Sequence, residues 1–214
     1  MVRVYEAARN ALKFILEAIP GERVAVVFDA EKEEIAETFT KAAIHEQLWA
    51  RAIVLETPRM LRRELPSRVL KILTRDKPET CINLLRDLAE ETPFRIQLIN
   101  FETRERRSRL GHCPGMTLDM LTEGALALSA EEHLKMQSYA DKIVATMNRS
   151  IEVGVTSPSG TDLKFSTRRP EFWSDTKIKW QKLKWMNLPT GEVAVAPVED
   201  SLEGTLICDK AVGG

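Results

Sequence analysis

Cysteine is scarce in this chain: three in 214 residues, at positions 81, 113 and 208. An odd, widely spaced set supports neither a disulfide framework nor a cysteine-based zinc site. Histidine is equally sparse, with His45, His112 and His133 only. No apolar run approaches the roughly 20 residues a membrane span needs, and the start, Met1-Val2-Arg3-Val4-Tyr5-Glu6, lacks the apolar core of a secretion signal. The expected location is therefore cytoplasmic. Neither charge sign dominates, with 31 basic and 32 acidic residues and a formal net charge of −1, so nothing calls for a nucleic-acid or anionic-membrane partner. The glycine signature of a nucleotide-phosphate loop is absent as well, which argues against nucleotide binding.

What is present is alternation of helical and strand patterns. Ala7, Ala8, Ala11, Leu12, Ile15 and Ala18 form an apolar helical stripe that ends at Pro20-Gly21. Val24-Ala25-Val26-Val27-Phe28 is a short continuous apolar run, as in a parallel strand covered on both faces. A helix with inward Ile35, Ala36, Phe39, Ala42 and Ala43 follows, then a second strand, Ala52 to Leu55, closed by Thr57-Pro58. Residues 63–74 read as helical, with Pro66 marking a first turn. Thr80 to Leu85 fits a third strand, with a helix as the competing assignment. Such βα alternation implies a three-layer α/β domain with a mainly parallel sheet.

Several polar features admit more than one role. Asp29, at the end of a strand, either caps the next helix or serves a ligand at the sheet's carboxyl edge; capping is the preferred reading. The run Arg104-Glu105-Arg106-Arg107-Ser108-Arg109 offers guanidiniums to a phosphate or carboxylate. Interrupted by Glu102 and Glu105, and without interleaved aromatics, it reads as a solvated face or loop. Gly111-His112-Cys113-Pro114-Gly115-Met116-Thr117 reads as an ordered loop, with Thr117 capping a short helix. In that loop His112 is a general base, a hydrogen-bond donor to substrate, a metal ligand beside Cys113, or a residue that knits the loop together. His45 and His133 sit in amphipathic helices and read as structural or exposed.

Ser129-Ala130-Glu131-Glu132 is a capping box that opens a helix running to Met147. After residue 148 the texture changes. Ile151 to Val155 and Leu163 to Phe165 flank a Ser157-Pro158-Ser159-Gly160 turn as a β-hairpin. Two further strands, Val193 to Ala196 and Thr205 to Cys208, are expected around a Glu203-Gly204 turn. Phe172, Trp173, Trp180 and Trp185, interleaved with lysines, suit an aromatic wall, a dimer surface or plain core packing. In Asn187-Leu188-Pro189-Thr190-Gly191-Glu192-Val193 the proline and glycine make a rigid turn that holds the Glu192 carboxylate. That carboxylate is either solvated at a strand end or presented as a metal ligand.

Four motifs in register, Gly111 to Thr117, Ser157 to Leu163, Asn187 to Val193 and Ala196 to Gly204, resemble the aminopeptidase T-like (leucyl aminopeptidase-like) metallopeptidases. That family is related to iron-dependent dihydroxypyridine dioxygenases. The resemblance implies a metal-dependent enzyme that removes N-terminal residues from peptides, with a divalent metal (zinc, cobalt or manganese), Glu192 as a metal ligand and His112 as a catalytic residue. It also implies a homodimer. In the dioxygenase branch the metal would be iron, the substrate a small ring, and His112 would help hold it. A non-catalytic assembly or binding module is the remaining alternative.

The domain reading is 1–148 as the α/β N-terminal domain and 149–214 as the beginning of a mainly antiparallel metal-binding domain. Beyond Glu192 the chain supplies only Glu199, Asp200, Glu203 and Asp209 as carboxylates, and no histidine. The family places further ligands downstream, so the chain reads as an N-terminal portion of a longer protein and is expected to be inactive alone.

Overall fold

The structure, a computed structural model, describes residues 2–56, 61–179 and 184–208. The expected closure at Thr57-Pro58, together with Trp180, Lys182 and Asp209, lies outside the described residues. The strands are β1 (Arg23–Asp29), β2 (Trp49–Leu55), β3 (Thr80–Leu85), β4 (Arg109–Pro114), β5 (Glu152–Thr156), β6 (Asp162–Ser166), β7 (Trp173–Ser174), β8 (Trp185–Asn187), β9 (Val193–Ala194) and β10 (Glu203–Thr205). The helices are α1 (Val2–Asn10), α2 (Glu33–His45), α3 (Ser67–Asp76), α4 (Thr92–Asn100), α5 (Asp119–Thr122) and α6 (Ala130–Met147). Wider π-helical turns extend α1 over Ala11–Ile15 and α4 over Phe101–Glu105.

The chain forms two compact units, residues 1–135 with 176–190, and residues 136–175 with 191–214. The change of texture near residue 149 marks where the hairpin starts; the units are divided elsewhere, because residues 176–190 return to the first. That unit is a three-layer α/β fold on a five-stranded parallel sheet of order β2-β1-β3-β4-β8. One face packs on α1 and α2, through Leu12, Ile15, Ile35, Phe39, Val26 and Ile82. The other packs on α3 and α4, through Val69, Leu73, Phe94, Leu98, Val27 and Leu110. The five expected inward positions of α2 are all buried, and Thr80 to Leu85 is a strand buried along its whole length. Covered on both faces, its side chains have no solvent side to alternate toward.

Three local expectations change. Gly111 to Pro114 is not loop but the carboxyl half of β4, paired with β3 and β8, so the glycine and proline sit in and at the end of a strand. Thr117 does not cap α5, which starts at Asp119 after Leu118 with no side-chain cap bond. Strand β8 was not expected: Trp185-Met186-Asn187 is too short to show a period, and pairing with β4 defines it. The capping box, by contrast, forms as read. The Ser129 N–H donates to Glu132 Oε2 at 2.7 Å, and the Glu132 N–H to Ser129 Oγ at 3.3 Å.

In the second unit the hairpin forms as β5 antiparallel to β6. Glu203-Gly204 is not a turn: both residues belong to β10, which pairs with β6. Gly204 sits at φ +114, and a Cβ there would lie 2.2 Å from the Asp162 carbonyl oxygen. Only glycine lets the two backbones approach so closely. Gly204→Ala is expected to destabilise this pairing by about 1–3 kcal/mol. Hydrogen exchange should then quicken at the β6 and β10 amides and stay unchanged in β1 and β3; equal protection of β6 in the variant would refute the account.

Candidate functional site

In a doubly wound sheet, ligands gather at the carboxyl ends of the strands, where the strand order reverses. Here that point lies between β1 and β3, since the chain goes outward from β1 to β2 and then to the other side. The protein fills it with its own charges. Asp29, the last residue of β1, is fully buried and does not cap the following helical turn. Its oxygens accept from Arg62 Nη1 at 2.5 Å and Nη2 at 2.9 Å, and from the Arg86 N–H at 2.7 Å. Glu91, also buried, takes the other side of the same guanidinium, accepting from Arg62 Nη2 at 2.6 Å, Nε and the backbone N–H, and pairs with Arg86. Burial alone would raise the Glu91 pKa, but the bonds from Arg86 and Arg62 outweigh it and bring it down to about 2. Capping was the wrong role for Asp29 because its partners lie 33 and 57 residues away in sequence. Two carboxylates and two guanidiniums occupy the crevice between β1 and β3.

His112 lies further along the same carboxyl edge. It sits on β4, in register with Asn83 of β3 and Asn187 of β8, so the three side chains share one face of the sheet. The imidazole is only 5% exposed and meets the Trp185 ring edge-on, centroids 6.3 Å apart. Burial, reinforced by the Arg95 guanidinium, lowers its pKa to about 4, so the ring is neutral at pH 7. Its Nδ1 is buried without a hydrogen-bond partner. A neutral imidazole in that state is a poor proton acceptor at neutral pH and suits a hydrogen bond to a ligand. Trp185 and Asn187 are exposed beside it, so Trp185 is not a core residue.

Through Asn83 this row reaches a buried carboxyl group that the sequence does not single out. Asn83 Nδ2 donates to Glu102 Oε2 at 2.7 Å, and Glu102 is completely buried. Burial pushes the Glu102 pKa up to about 8 against the lowering effect of Asn83 and Cys81. Glu102 therefore carries no charge at neutral pH and does not offset the basic run that follows it. The available signal was Asn83, a polar residue flanked by Ile82 and Leu84 in the middle of a strand. Of the other histidines, His133 is buried and stacked on Phe14, and His45 is exposed against Tyr5.

Glu192 belongs to the second unit. Its backbone is clamped: Asp175 Oδ1 accepts the N–H groups of Gly191 at 2.9 Å and of Glu192 at 2.7 Å, and the Asp175 N–H donates to the Glu192 carbonyl at 3.2 Å. Gly191 takes φ +134, a conformation that glycine adopts freely. β7 and β9 then pair on either side of the clamp. The rigid mounting expected of this carboxylate is present, and the side chain itself is exposed. Among the described residues, however, no group of three or more His, Cys, Asp or Glu side chains could hold a metal ion. A catalytic zinc takes about three protein ligands, so the described residues alone do not fit one. Among those residues no helix is long and apolar enough to cross a membrane.

No family model matches the chain, and no curated protein does. Solved structures do. The 2,5-dihydroxypyridine dioxygenase from Pseudomonas putida KT2440 superposes with a TM-score of 0.63 at 15% identity, over 96% of this chain and 58% of that one. AmpT from Thermus thermophilus superposes with a TM-score of 0.59 at 16% identity, over 95% of this chain and 63% of that one. At such identities the likeness is one of fold, and this chain spans about six-tenths of the length of each, 58% and 63%.

Two outcomes follow from the charges. Arg62→Met would leave two buried carboxylates without their shared cation, and a loss of about 3–5 kcal/mol in urea unfolding is expected. A loss below about 1 kcal/mol, the value of an exposed pair, would contradict the burial argument. For Glu102 the folded carboxyl keeps its proton up to about 8, against an ordinary 4.5. Its stabilising contribution is thus full below 4.5 and disappears as pH rises through 8. Glu102→Gln should flatten the stability profile across that window; an unchanged alkaline slope would place its origin elsewhere.

Proposed function

We propose that this chain is part of a metal-dependent aminopeptidase-like hydrolase acting on the free N-termini of peptides. Glu192 is its carboxylate ligand to a divalent ion (zinc, cobalt or manganese), and His112 is a neutral hydrogen-bonding group toward substrate. The observation that carries this reading is the fold shared with AmpT along 95% of the chain. The Asp175 clamp supports it further, since a ligand carboxylate needs a fixed backbone. A bound divalent ion would supply an activated water and polarise a carbonyl. Completing its ligand set requires donors beyond the described residues. Homodimerisation and a cytoplasmic location belong to the same reading.

A second reading, iron-dependent cleavage of a hydroxylated ring, draws on the slightly higher likeness to the dioxygenase, 0.63 against 0.59. His112 is compatible with it, because an uncharged imidazole suits holding a ring hydroxyl.

Cobalt titration followed by visible absorption, with leucyl-p-nitroanilide and 2,5-dihydroxypyridine as substrates, tests both. The 214-residue chain should bind cobalt weakly and turn over neither substrate, and Glu192→Gln should weaken that binding by at least about ten-fold. Unchanged cobalt affinity in Glu192→Gln would remove it from the ligand set. Rapid metal-independent peptide hydrolysis would overturn the proposal, and ring cleavage with ferrous iron would select the second reading.

A further inference from the structure

The amino edge of the parallel sheet, opposite the edge that carries His112, holds a cleft of about 960 Å³. Its walls come from the end of the first helix, the start of β1, the α3–β3 turn and the segment leading into β4. Six cationic side chains line it (Lys13, Arg23, Lys77, Arg106, Arg107 and Arg109) against three carboxylates, Glu17, Glu22 and Glu79.

Those carboxylates are already engaged. Glu79 Oε2 accepts from the Arg23 N–H at 2.7 Å and Nε at 3.1 Å. Glu22 pairs with Arg109 and accepts the Ile19 N–H, and Glu17 lies 3.7 Å from Lys177 Nζ. Lys77, Arg106 and Arg107 make no ion pair with a carboxylate among the described residues, while Lys13, which makes no direct ion pair there, feels the Glu46 charge and holds its ammonium 5.9 Å from the Phe14 ring centroid. The Arg106 Nε is buried and unpartnered, while its guanidinium stacks 5.3 Å from the Phe101 ring centroid. Lys77 and Arg107 are exposed, and each follows a helical segment with left-handed backbone, φ 47 and φ 60. Glu102, which would offset the run in sequence, is buried on the other side of its helical turn and uncharged.

We propose that this cleft binds a compact anion bearing two or more phosphate groups, held by Lys13, Lys77, Arg106 and Arg107. The volume is that of a small-molecule site. Guanidinium forks match phosphate oxygens bidentately, and an ammonium adds a point charge. The lining contains no aromatic residue, so there is no platform for stacking a nucleobase, and single-stranded nucleic acid is disfavoured. The proposal is independent of the metal chemistry above: it concerns another edge of the sheet and other residues.

Inorganic tripolyphosphate is the probe, with calorimetry at a fixed ionic strength of about 0.15 M to screen diffuse attraction. Saturable one-to-one binding is expected. It should weaken at least about ten-fold in a Lys77→Asn/Arg107→Asn double variant, asparagine being chosen because it tolerates left-handed backbone. Lys13→Gln, at an ordinary helical backbone position, should weaken it as well, whereas Lys41→Gln on α2 should not. Heats that fail to saturate, or equal affinity in the double variant and Lys13→Gln, would overturn the site. Citrate binding as tightly as tripolyphosphate would overturn the phosphate assignment.

Discussion

The Arg62 guanidinium is the interaction on which the carboxyl edge of the sheet depends. It is 5% exposed, donates to Asp29 and Glu91 together, and lies 4.6 Å over the Phe94 ring. A buried ion pair gains little over an apolar pair of equal volume, because desolvation offsets most of the Coulomb attraction. Its structural weight comes from what removal of one member leaves behind. Asp29 ends β1 and Glu91 precedes α4, so the Arg62 guanidinium ties β1 to the start of α4, while Arg86, following β3, joins the same two carboxylates through its backbone N–H and its own guanidinium. The same arrangement occupies the crevice where a doubly wound sheet usually takes its ligand.

How far the chain could be read in advance follows from the range of the interactions involved. The α2 positions Ile35, Ala36, Phe39, Ala42 and Ala43, the apolar β1 run and the Ser129/Glu132 box depend on spacing within a few residues, and each forms as expected. Asp29 does not act as expected, because capping is a local role and its partners are distant. β4 was mistaken for a loop because glycine and proline mark turns when only neighbours are considered. In the folded protein Leu110 and Gly111 pair with Trp185 and Met186, 75 positions further on, and long-range pairing outweighs the local signal. His112 was legible as a candidate, but its neutral state was not. That state comes from burial in the face shared with Leu110 and from Arg95 on α4.

Glu102 illustrates how burial changes the meaning of a charge count. In sequence it stands two residues before Arg104 and dilutes a basic run. In space it is enclosed beside Asn83 and protonated at neutral pH, while Arg106, Arg107 and Arg109 reach the amino-edge cleft. A formal charge of −1 over the chain thus coexists with a locally positive surface. Net charge constrains solubility and long-range attraction, not the field inside one cleft.

Glu192 raises the opposite question, whether a well-held side chain amounts to a site. Its clamp is a backbone feature, made by Asp175 with two N–H groups, and it depends on no side-chain atom of residue 192, so any residue with a backbone N–H keeps the donor. What distinguishes a ligand is the company of other donors, and none assemble among the described residues. Fold likeness cannot supply that company, because one fold carries different chemistries according to the side chains placed on it. The two solved structures make the point directly: a dioxygenase and AmpT superpose on the same chain with TM-scores of 0.63 and 0.59. Neither hydrolysis nor ring cleavage is written in the scaffold; either is set by the individual side chains placed on it.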